Sequence, residues 1–275
     1  MTRLSISNLA WPDAPVEDVA PRIKRAGLDG VELAPTAIWP TAPHVPSKEV
    51  RKYAQRWCDH GLAVSGIQSL MFGHPEFQLF DRGTWSGMRD HLIAMTRLAS
   101  ELGTHIAVFG SPKNRARGQL GDTEANAICA EFITSLLPVL ADCGVVLTLE
   151  PNAPAYGADY LTRYADAVAL SDLIASPWIQ PQVDTGCLSM VNDDPAQAIR
   201  TQTPAHVHIS TPHLLPPPGP IDHLALKEGL ATSRYSGWVV LEMLQSTPDP
   251  FEIAFQSAQW LADTYGAPKG DHVAH

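Results

Sequence analysis

The sequence predicts a single α/β domain that closes into a (β/α)8 barrel. Segments of strand length alternate eight times with longer segments of helical period along the 275 residues. Several of the strand segments are nearly continuous apolar runs, which is typical of parallel strands covered by helices. About 250 residues suffice for one such barrel, and no linker or low-complexity segment divides the chain. We therefore expect one barrel domain over 1–266, followed by a flexible tail over 267–275.

The predicted elements follow one another in regular order. The eight strands are expected at 3–11, 30–35, 63–72, 105–112, 145–151, 179–186, 206–210 and 238–244. The helices are expected at 16–27, 47–61, 85–103, 122–143, 158–175 and 250–266, with Gly27 and Gly144 as stops and with Ser47 and Asp222 as N-caps. An open doubly wound sheet is the alternative, but no GxGxxG motif follows the first strand.

The net charge and the spacing of the cysteines indicate which partners and which cellular compartment to expect. The formal net charge of −10 opposes binding to nucleic acid, which needs clustered basic residues. The four cysteines are scattered without CxxC spacing, which indicates reduced thiols and a cytoplasmic protein. The first residues are too polar for a signal peptide, and no apolar run reaches the ~20 residues of a membrane span. We expect a cytoplasmic protein with no membrane or nucleic-acid partner, and its assembly into a homo-oligomer stays open.

Four ionisable residues arrive at the ends of the last four predicted strands. They are Glu150, Asp184, His208 and Glu242, at intervals of 34, 24 and 34 residues. The active sites of barrels lie at the carboxyl ends of the strands. A carboxylate in an apolar strand is costly to bury unless it is paired or binds a metal. This set of three carboxylates and one imidazole predicts one divalent metal ion, Mn²⁺ in the first place and otherwise Mg²⁺, Co²⁺ or Zn²⁺. The alternative is that each residue only caps a strand end or forms an ion pair.

Three further strand residues are expected to support these ligands. His206 lies two residues before His208, so both point to the same face of the strand. Because His206 is one layer deeper, we interpret it as an orienting or packed imidazole. Glu32 and Gln68 also lie on predicted strands and are expected as hydrogen-bond partners of the ligands.

Six residues near the predicted mouth of the barrel are candidates for substrate binding. They are Lys113, Arg115, Tyr156, His213, Trp11 and Phe72. The two basic residues suit an anionic or polyhydroxylated substrate, and the aromatic residues suit the face of a sugar ring. The alternatives are that Lys113 and Arg115 lie in a solvated loop, that His213 is only exposed, and that the aromatic residues serve structural packing.

The chain resembles the xylose isomerase-like TIM barrels, a sugar phosphate isomerase/epimerase family that includes ketose 3-epimerases, hydroxypyruvate isomerase and apurinic-site endonucleases. The resemblance is carried by "SNLAW", "VELAPTAIWP", "LFD", "VFGSPKNR", "LEPNAPAYGADYL", "VDTG", "HVHIS" and "VVLEML". It implies that the four strand-end residues are the metal ligands. It also implies that Glu150 and Glu242 are the catalytic pair, which exchanges protons with opposite faces of a bound sugar.

Three positions depart from the pattern of the epimerases. Cys187 stands where they have a histidine, Leu214 where they have an arginine, and Thr211 where close relatives have a glutamate. The loss at Cys187 weighs most against the endonucleases, which need further histidine ligands.

The leading hypothesis is a divalent-metal-dependent sugar isomerase or epimerase that abstracts a proton next to a carbonyl through a metal-stabilised enediolate. The first alternative is a dehydratase or lyase of a keto-sugar, keto-inositol or keto-glycoside that uses the same metal site. The second is a non-catalytic barrel that binds a ligand or a partner subunit.

Overall fold

Eight parallel strands form a closed barrel at the centre of the protein. The computed structural model describes residues 2–266. The strands pair in sequence order, and the last strand pairs with the first. They are β1 (Arg3–Ser7), β2 (Gly30–Leu33), β3 (Ala63–Ile67), β4 (Ile106–Phe109), β5 (Val146–Leu149), β6 (Ile179–Asp184), β7 (His206–Ile209) and β8 (Trp238–Leu241). The predicted (β/α)8 fold is confirmed. The predicted flexible tail at 267–275 lies outside the described residues.

Ten α-helices lie in the part of the chain that the structure describes. They are α1 (Val16–Arg25), α2 (Ser47–Asp59), α3 (Trp85–Glu101), α4 (Asp122–Thr134), α5 (Leu137–Cys143), α6 (Tyr164–Ile174), α7 (Thr185–Met190), α8 (Pro195–Thr201), α9 (His223–Thr232) and α10 (Pro250–Tyr265). Short 3₁₀ turns follow β1, β2, β4, β5 and β7 and begin the loops at the mouth of the barrel. Within residues 2–266 no single helix is long and apolar enough to cross a membrane; α4 and α5 together meet that length and composition, but they are bent by 47°.

The strands have two chemically different faces. Outward-facing residues are apolar and join one large hydrophobic core with the helices, and they include Leu4, Ile6, Val31, Leu33, Leu147, Leu149, Val207, Ile209, Val239 and Leu241. Among the residues between them, Ser5, Glu32, Thr148 and His208 are polar and buried, whereas Val240 on β8 is apolar. Ser5 Oγ lies 2.6 Å from Ser65 Oγ across the barrel, and Thr148 Oγ1 donates to Gln182 Oε1 at 2.6 Å. Because the outer layer supplies the apolar burial, the inside of the barrel is free to carry polar groups that support a site.

Several predicted boundaries are wrong for local reasons. β1 ends at Ser7 because the Ser7 hydroxyl accepts from the N–H of Leu9 and starts a 3₁₀ turn. The predicted helix at 122–143 divides into α4 and α5, since Pro138 has no N–H to donate to Thr134. Ser47 is not an N-cap but the first residue of α2.

Two predicted helix-end signals are confirmed. Gly144 ends α5 in a left-handed conformation with φ +64°. Asp222 caps α9, because its carboxylate accepts from the N–H of Ala225 at 3.0 Å.

Candidate metal centre

The four strand-end residues meet at the carboxyl end of the barrel. Glu150 follows β5, Asp184 ends β6, His208 is the third residue of β7, and Glu242 follows β8. One ligand atom from each lies within 4.8 Å of the others. His208 Nδ1 is 3.0 Å from a Glu150 oxygen, 3.2 Å from a Glu242 oxygen and 3.9 Å from an Asp184 oxygen. All four residues are at most 9% exposed. The register of the barrel thus brings together the residues that the sequence analysis selected.

The donor set fits a divalent cation. Three buried carboxylates surround one imidazole, and His208 Nδ1 makes no aligned hydrogen bond with any of them. Burial, followed by the charges of Glu150 and Glu242, raises the pKa of Asp184 to about 7. Negative charge gathered in such a buried place is stabilised by a cation. Glu150, Asp184, His208 and Glu242 would hold it through three oxygens and one nitrogen, a set suited to Mn²⁺, Mg²⁺ or Co²⁺.

A fully buried carboxylate lies behind His208. Glu32, on β2, places one oxygen 2.7 Å from His206 Nε2 and the other 2.8 Å from His208 Nε2. The first contact is a hydrogen bond, whereas the second lacks hydrogen-bond alignment. Burial raises the pKa of Glu32, but the charges of His208 and His206 outweigh it and lower the pKa to about 2. Glu32 therefore lies in the barrel as a carboxylate that faces the ring edge opposite the metal-facing Nδ1.

Glu32 has room to lie inside the barrel because Gly66 on β3 has no side chain. A Cβ atom at Gly66 on β3 would lie 2.6 Å from a Glu32 oxygen. The pairing of β2 with β3 also shifts register between Val31 and Glu32. Both features give the carboxylate room to turn into the barrel.

Neutral amides hold the two glutamates. Gln68 Nε2 donates to Glu242 Oε1 at 2.7 Å, and Gln182 Nε2 donates to Glu150 Oε1 at 2.8 Å. Asn152 Nδ2 donates to the other oxygen of Glu150 at 3.1 Å. Each glutamate is thus oriented by donors that carry no charge.

Asp184 is held by a different set of donors. The N–H of Cys187 donates to Asp184 Oδ1 at 2.6 Å, and Ser210 Oγ lies 2.8 Å from both Asp184 oxygens. The Cys187 side chain itself is buried, and burial raises the pKa of its thiol far above the ordinary value. The thiol is therefore kept protonated and is a poor nucleophile.

Arg115 has a different surrounding from the one the sequence analysis expected. Its side chain is 1% exposed, and its guanidinium donates to the carbonyl oxygens of Phe109 and Glu150 and to Asn152 Oδ1. These contacts fix the backbone and the amide beside Glu150, and a substrate contact is not among them. Lys113 is exposed and lines the cavity that contains Glu150 and Glu242.

Tyr156 and His213 lie together on two loops at the mouth. The hydroxyl of Tyr156 accepts a 2.7 Å hydrogen bond from the backbone N–H of His213, and the two rings make an edge contact at 6.2 Å. Burial raises the pKa of Tyr156 to about 12, so this hydroxyl stays protonated. The pair ties the loop after β5 to the loop after β7.

Phe72 and Trp11, two of the aromatic candidates for substrate binding, lie in different places. Phe72 is 70% exposed and lines the cavity of about 400 Å³ that contains Glu150 and Glu242. Trp11 lines a separate cavity of about 370 Å³ with Tyr53 and Trp57. The structure therefore brings Phe72, but not Trp11, to the cavity at the metal-binding candidates.

The sequence analysis missed the uncharged residues that hold the ligands. Gln182, Thr148, Asn152 and Ser210 carry no charge, so they do not stand out as the carboxylates do in an apolar strand. The available signal is alternation, because Gln182 and Ser210 each lie two residues from a ligand and share its side of the strand.

Comparison with known proteins agrees with this architecture. A search of the curated proteins finds no match. Similar solved structures include a D-psicose 3-epimerase crystallised with D-fructose present, at 16% identity and TM-score 0.79, covering 97% of this chain and 100% of that one. An L-ribulose 3-epimerase matches at 18% identity and TM-score 0.81 over 96% of this chain and 95% of that one. A 3-keto-D-glucoside 4-epimerase from E. coli matches at 20% and TM-score 0.75 over 96% and 100%.

At these identities the structural likeness shows the fold alone. The family model described as xylose isomerase-like TIM barrel matches residues 21–264, which is most of the chain. The chain therefore belongs to the xylose isomerase-like TIM barrel family.

Proposed function

We propose that the protein is a divalent-metal-dependent sugar isomerase or epimerase that moves a proton at a carbon next to a carbonyl. The observation that carries this proposal is the pairing of Glu150 and Glu242 around His208. Their oxygens lie 3.0 and 3.2 Å from the same nitrogen, and both side chains line the cavity. A substrate in that cavity has a carboxylate available from each of the two.

The two glutamates divide the proton transfer. One glutamate, as the carboxylate, accepts the proton from carbon, and the other, as the carboxylic acid, donates a proton to the opposite face, which inverts the configuration. A bound divalent metal would stabilise the negative charge that develops on the carbonyl oxygen. Gln182 and Gln68 fix the orientation of Glu150 and Glu242 without neutralising them, so that less reorganisation is needed during the reaction.

The wider family supports the choice of substrate. Three structurally similar proteins are epimerases of D-psicose, L-ribulose and a 3-keto-D-glucoside. Sugars and keto-sugars are accordingly the substrates to test first. Mn²⁺ is the first metal to test, because the three oxygen ligands and one imidazole suit it.

The first experiment measures metal content. Wild type and His208→Ala are purified without chelator and analysed by elemental analysis, with the exposed Glu49→Gln as a matched control. We expect about one divalent ion per chain in wild type and in the control, and its loss in His208→Ala. No bound metal after addition of Mn²⁺ or Co²⁺ would refute the proposal, and three zinc ions per chain would support an endonuclease instead.

The second experiment measures proton exchange. Keto-sugars are incubated in D₂O with the Mn²⁺-loaded protein, and deuterium at the carbon next to the carbonyl is followed by NMR and mass spectrometry. An epimerase incorporates deuterium in a product that is otherwise unchanged in mass. Glu150→Gln and Glu242→Gln should each abolish product formation, and Glu49→Gln should not. Loss of water or of an aglycone would identify a lyase, and unchanged biological activity in both variants would identify a non-catalytic barrel.

A further inference from the structure

The cavity beside the two glutamates has one apolar side. Its volume is about 400 Å³, within the ~300–1,000 Å³ of sites for drug-sized ligands. Its lining consists of Glu150, Glu242, Val108 of β4 and residues of the loops after β3 and β4. The apolar residues of the lining are Met71, Phe72, Pro75, Val108 and Pro112.

Phe72 is presented to this cavity and not packed into the core. It is 70% exposed, and it is the one aromatic residue among the large, exposed apolar side chains of residues 2–266. Its backbone N–H donates to the carbonyl of Ser69 at 3.0 Å, in a turn where Ser69 has φ +57°. A tight turn thus holds an aromatic ring in water at the rim of the cavity. Covering such an apolar surface with a ligand lowers the free energy of the system.

The charges around the cavity disfavour a phosphate group. Among its lining residues Lys113 is the one with a fixed positive charge, and that side chain is exposed. His74 also lines the cavity, but its Nδ1 lies 2.9 Å from a Glu76 oxygen and its ring stacks on Phe77 at 5.1 Å. Apart from the cation proposed at the ligand carboxylates, a phosphate dianion in this cavity would therefore have the exposed ammonium of Lys113 as its one fixed positive partner.

We propose that this cavity binds the apolar substituent of an unphosphorylated sugar, such as an aryl aglycone. The sugar ring lies at Glu150 and Glu242, and the substituent covers Phe72. This inference rests on the proposed function, because that function places the reacting carbon at the glutamates.

Two glycosides that differ only in the substituent test the proposal. Phenyl β-D-glucopyranoside and methyl β-D-glucopyranoside are titrated into metal-free and Mn²⁺-loaded protein by isothermal titration calorimetry, with D-glucose 6-phosphate and D-glucuronate as anionic probes. We expect the phenyl glycoside to bind at least about tenfold more tightly than the methyl glycoside, since burial of one ring is worth more than a factor of ten. This preference for the phenyl glycoside should be present with and without metal, because none of the apolar residues in the cavity lining is a metal ligand.

A matched pair of variants locates the effect. Phe72→Ser should weaken binding of the phenyl glycoside by about fivefold or more and leave the methyl glycoside unchanged. Leu224→Ser is the control, since Leu224 is also 70% exposed but lies on α9 outside the cavity lining. Equal affinity for the two glycosides, no measurable binding of the phenyl glycoside, tighter binding of either anion, or an unchanged Phe72→Ser variant would each overturn the inference.

The outcomes separate this inference from the proposed function. Deuterium exchange with free keto-sugars together with equal binding of both glycosides would retain the function and remove the apolar subsite. A phenyl preference that Phe72→Ser abolishes, together with no exchange on any keto-sugar, would retain the subsite and remove the reaction.

Discussion

Replacement of Glu32 by glutamine tests how far the interior of the barrel controls metal binding. The substitution keeps the size of the side chain but removes the negative charge between His206 and His208. Both carboxylate oxygens are fully buried, at 2.7 and 2.8 Å from the two imidazoles, so no water compensates for the loss. We expect weaker metal binding because Glu32 orients the His208 ring and increases its basicity.

The size of the effect follows from the geometry. At the 2.8 Å between the Glu32 oxygen and His208 Nε2, two unit charges interact by about 6 kcal/mol at an effective dielectric constant of ~20, which sets an upper bound. A glutamine amide restores part of this by hydrogen bonding. Loss of such a partner of a metal ligand usually reduces affinity by about 10- to 100-fold, equivalent to about 1.4 to 2.8 kcal/mol. We expect Glu32→Gln to fall in this range.

Calorimetric titration of chelator-treated protein with Mn²⁺ measures the affinity. Glu49→Gln, an exposed change on α2, controls for loss of one negative charge, and Glu32→Asp tests whether a shorter carboxylate suffices. Circular dichroism of the metal-free variants reports whether the fold is intact. A folded Glu32→Gln variant that binds Mn²⁺ within twofold of wild type would refute the role given to Glu32.

Three further predictions concern the surroundings of the ligands. Gln68→Leu removes the amide that donates to Glu242, and since a hydrogen bond to a charged group is worth about 1.5 to 3 kcal/mol, deuterium exchange should fall by about 10- to 100-fold; an unchanged rate would contradict this. Arg115→Met removes a donor from three buried oxygens, of which that of Phe109 keeps the N–H of Glu150, and should lower the free energy of unfolding by about 3 to 5 kcal/mol in urea titrations, whereas a loss below about 1 kcal/mol would show that Arg115 is not structural. Mn²⁺ affinity should fall as the pH is lowered from about 8 to 6, by about tenfold per pH unit for each displaced proton, because the pKa of Asp184 is raised to about 7 and that of His208 well above its ordinary value; a flat titration would show that no proton is displaced.

The sequence predicted which four residues lie together at the strand ends because charge in an apolar strand is conspicuous. A single glutamate in "VVLTLEP" or "VVLEML" has few explanations other than a strand-end site, and the closed barrel turns four such ends toward one point. The same reasoning reached Glu32 on β2, whereas Gln68, directly after β3, was predicted from its place in the expected strand 63–72. Their partners could not be assigned, because that requires the stagger of neighbouring strands and the register shift at Glu32.

Loop residues were harder to predict than strand residues. Arg115 follows β4 by a 3₁₀ turn that returns its side chain into the protein, although basic loop residues usually face solvent. Trp11 and Phe72 both follow strands. Trp11 nevertheless lines a cavity with Tyr53 and Trp57 of α2, whereas Phe72 lines the cavity that contains Glu150 and Glu242. The residue type is compatible with either position, so only the path of each loop decides where the side chain lies.

The alternation along the strands connects the stability of the barrel with its chemistry. The outward residues bury their apolar surface against the helices, so the fold does not need the inward positions for hydrophobic stabilisation. Those positions instead carry hydrogen-bonded pairs such as Thr148 with Gln182 and His206 with Glu32. Each pair ends on a ligand, Gln182 on Glu150 and Glu32 on His208. The polar interior therefore supports the candidate metal centre, in which three carboxylates lie close together.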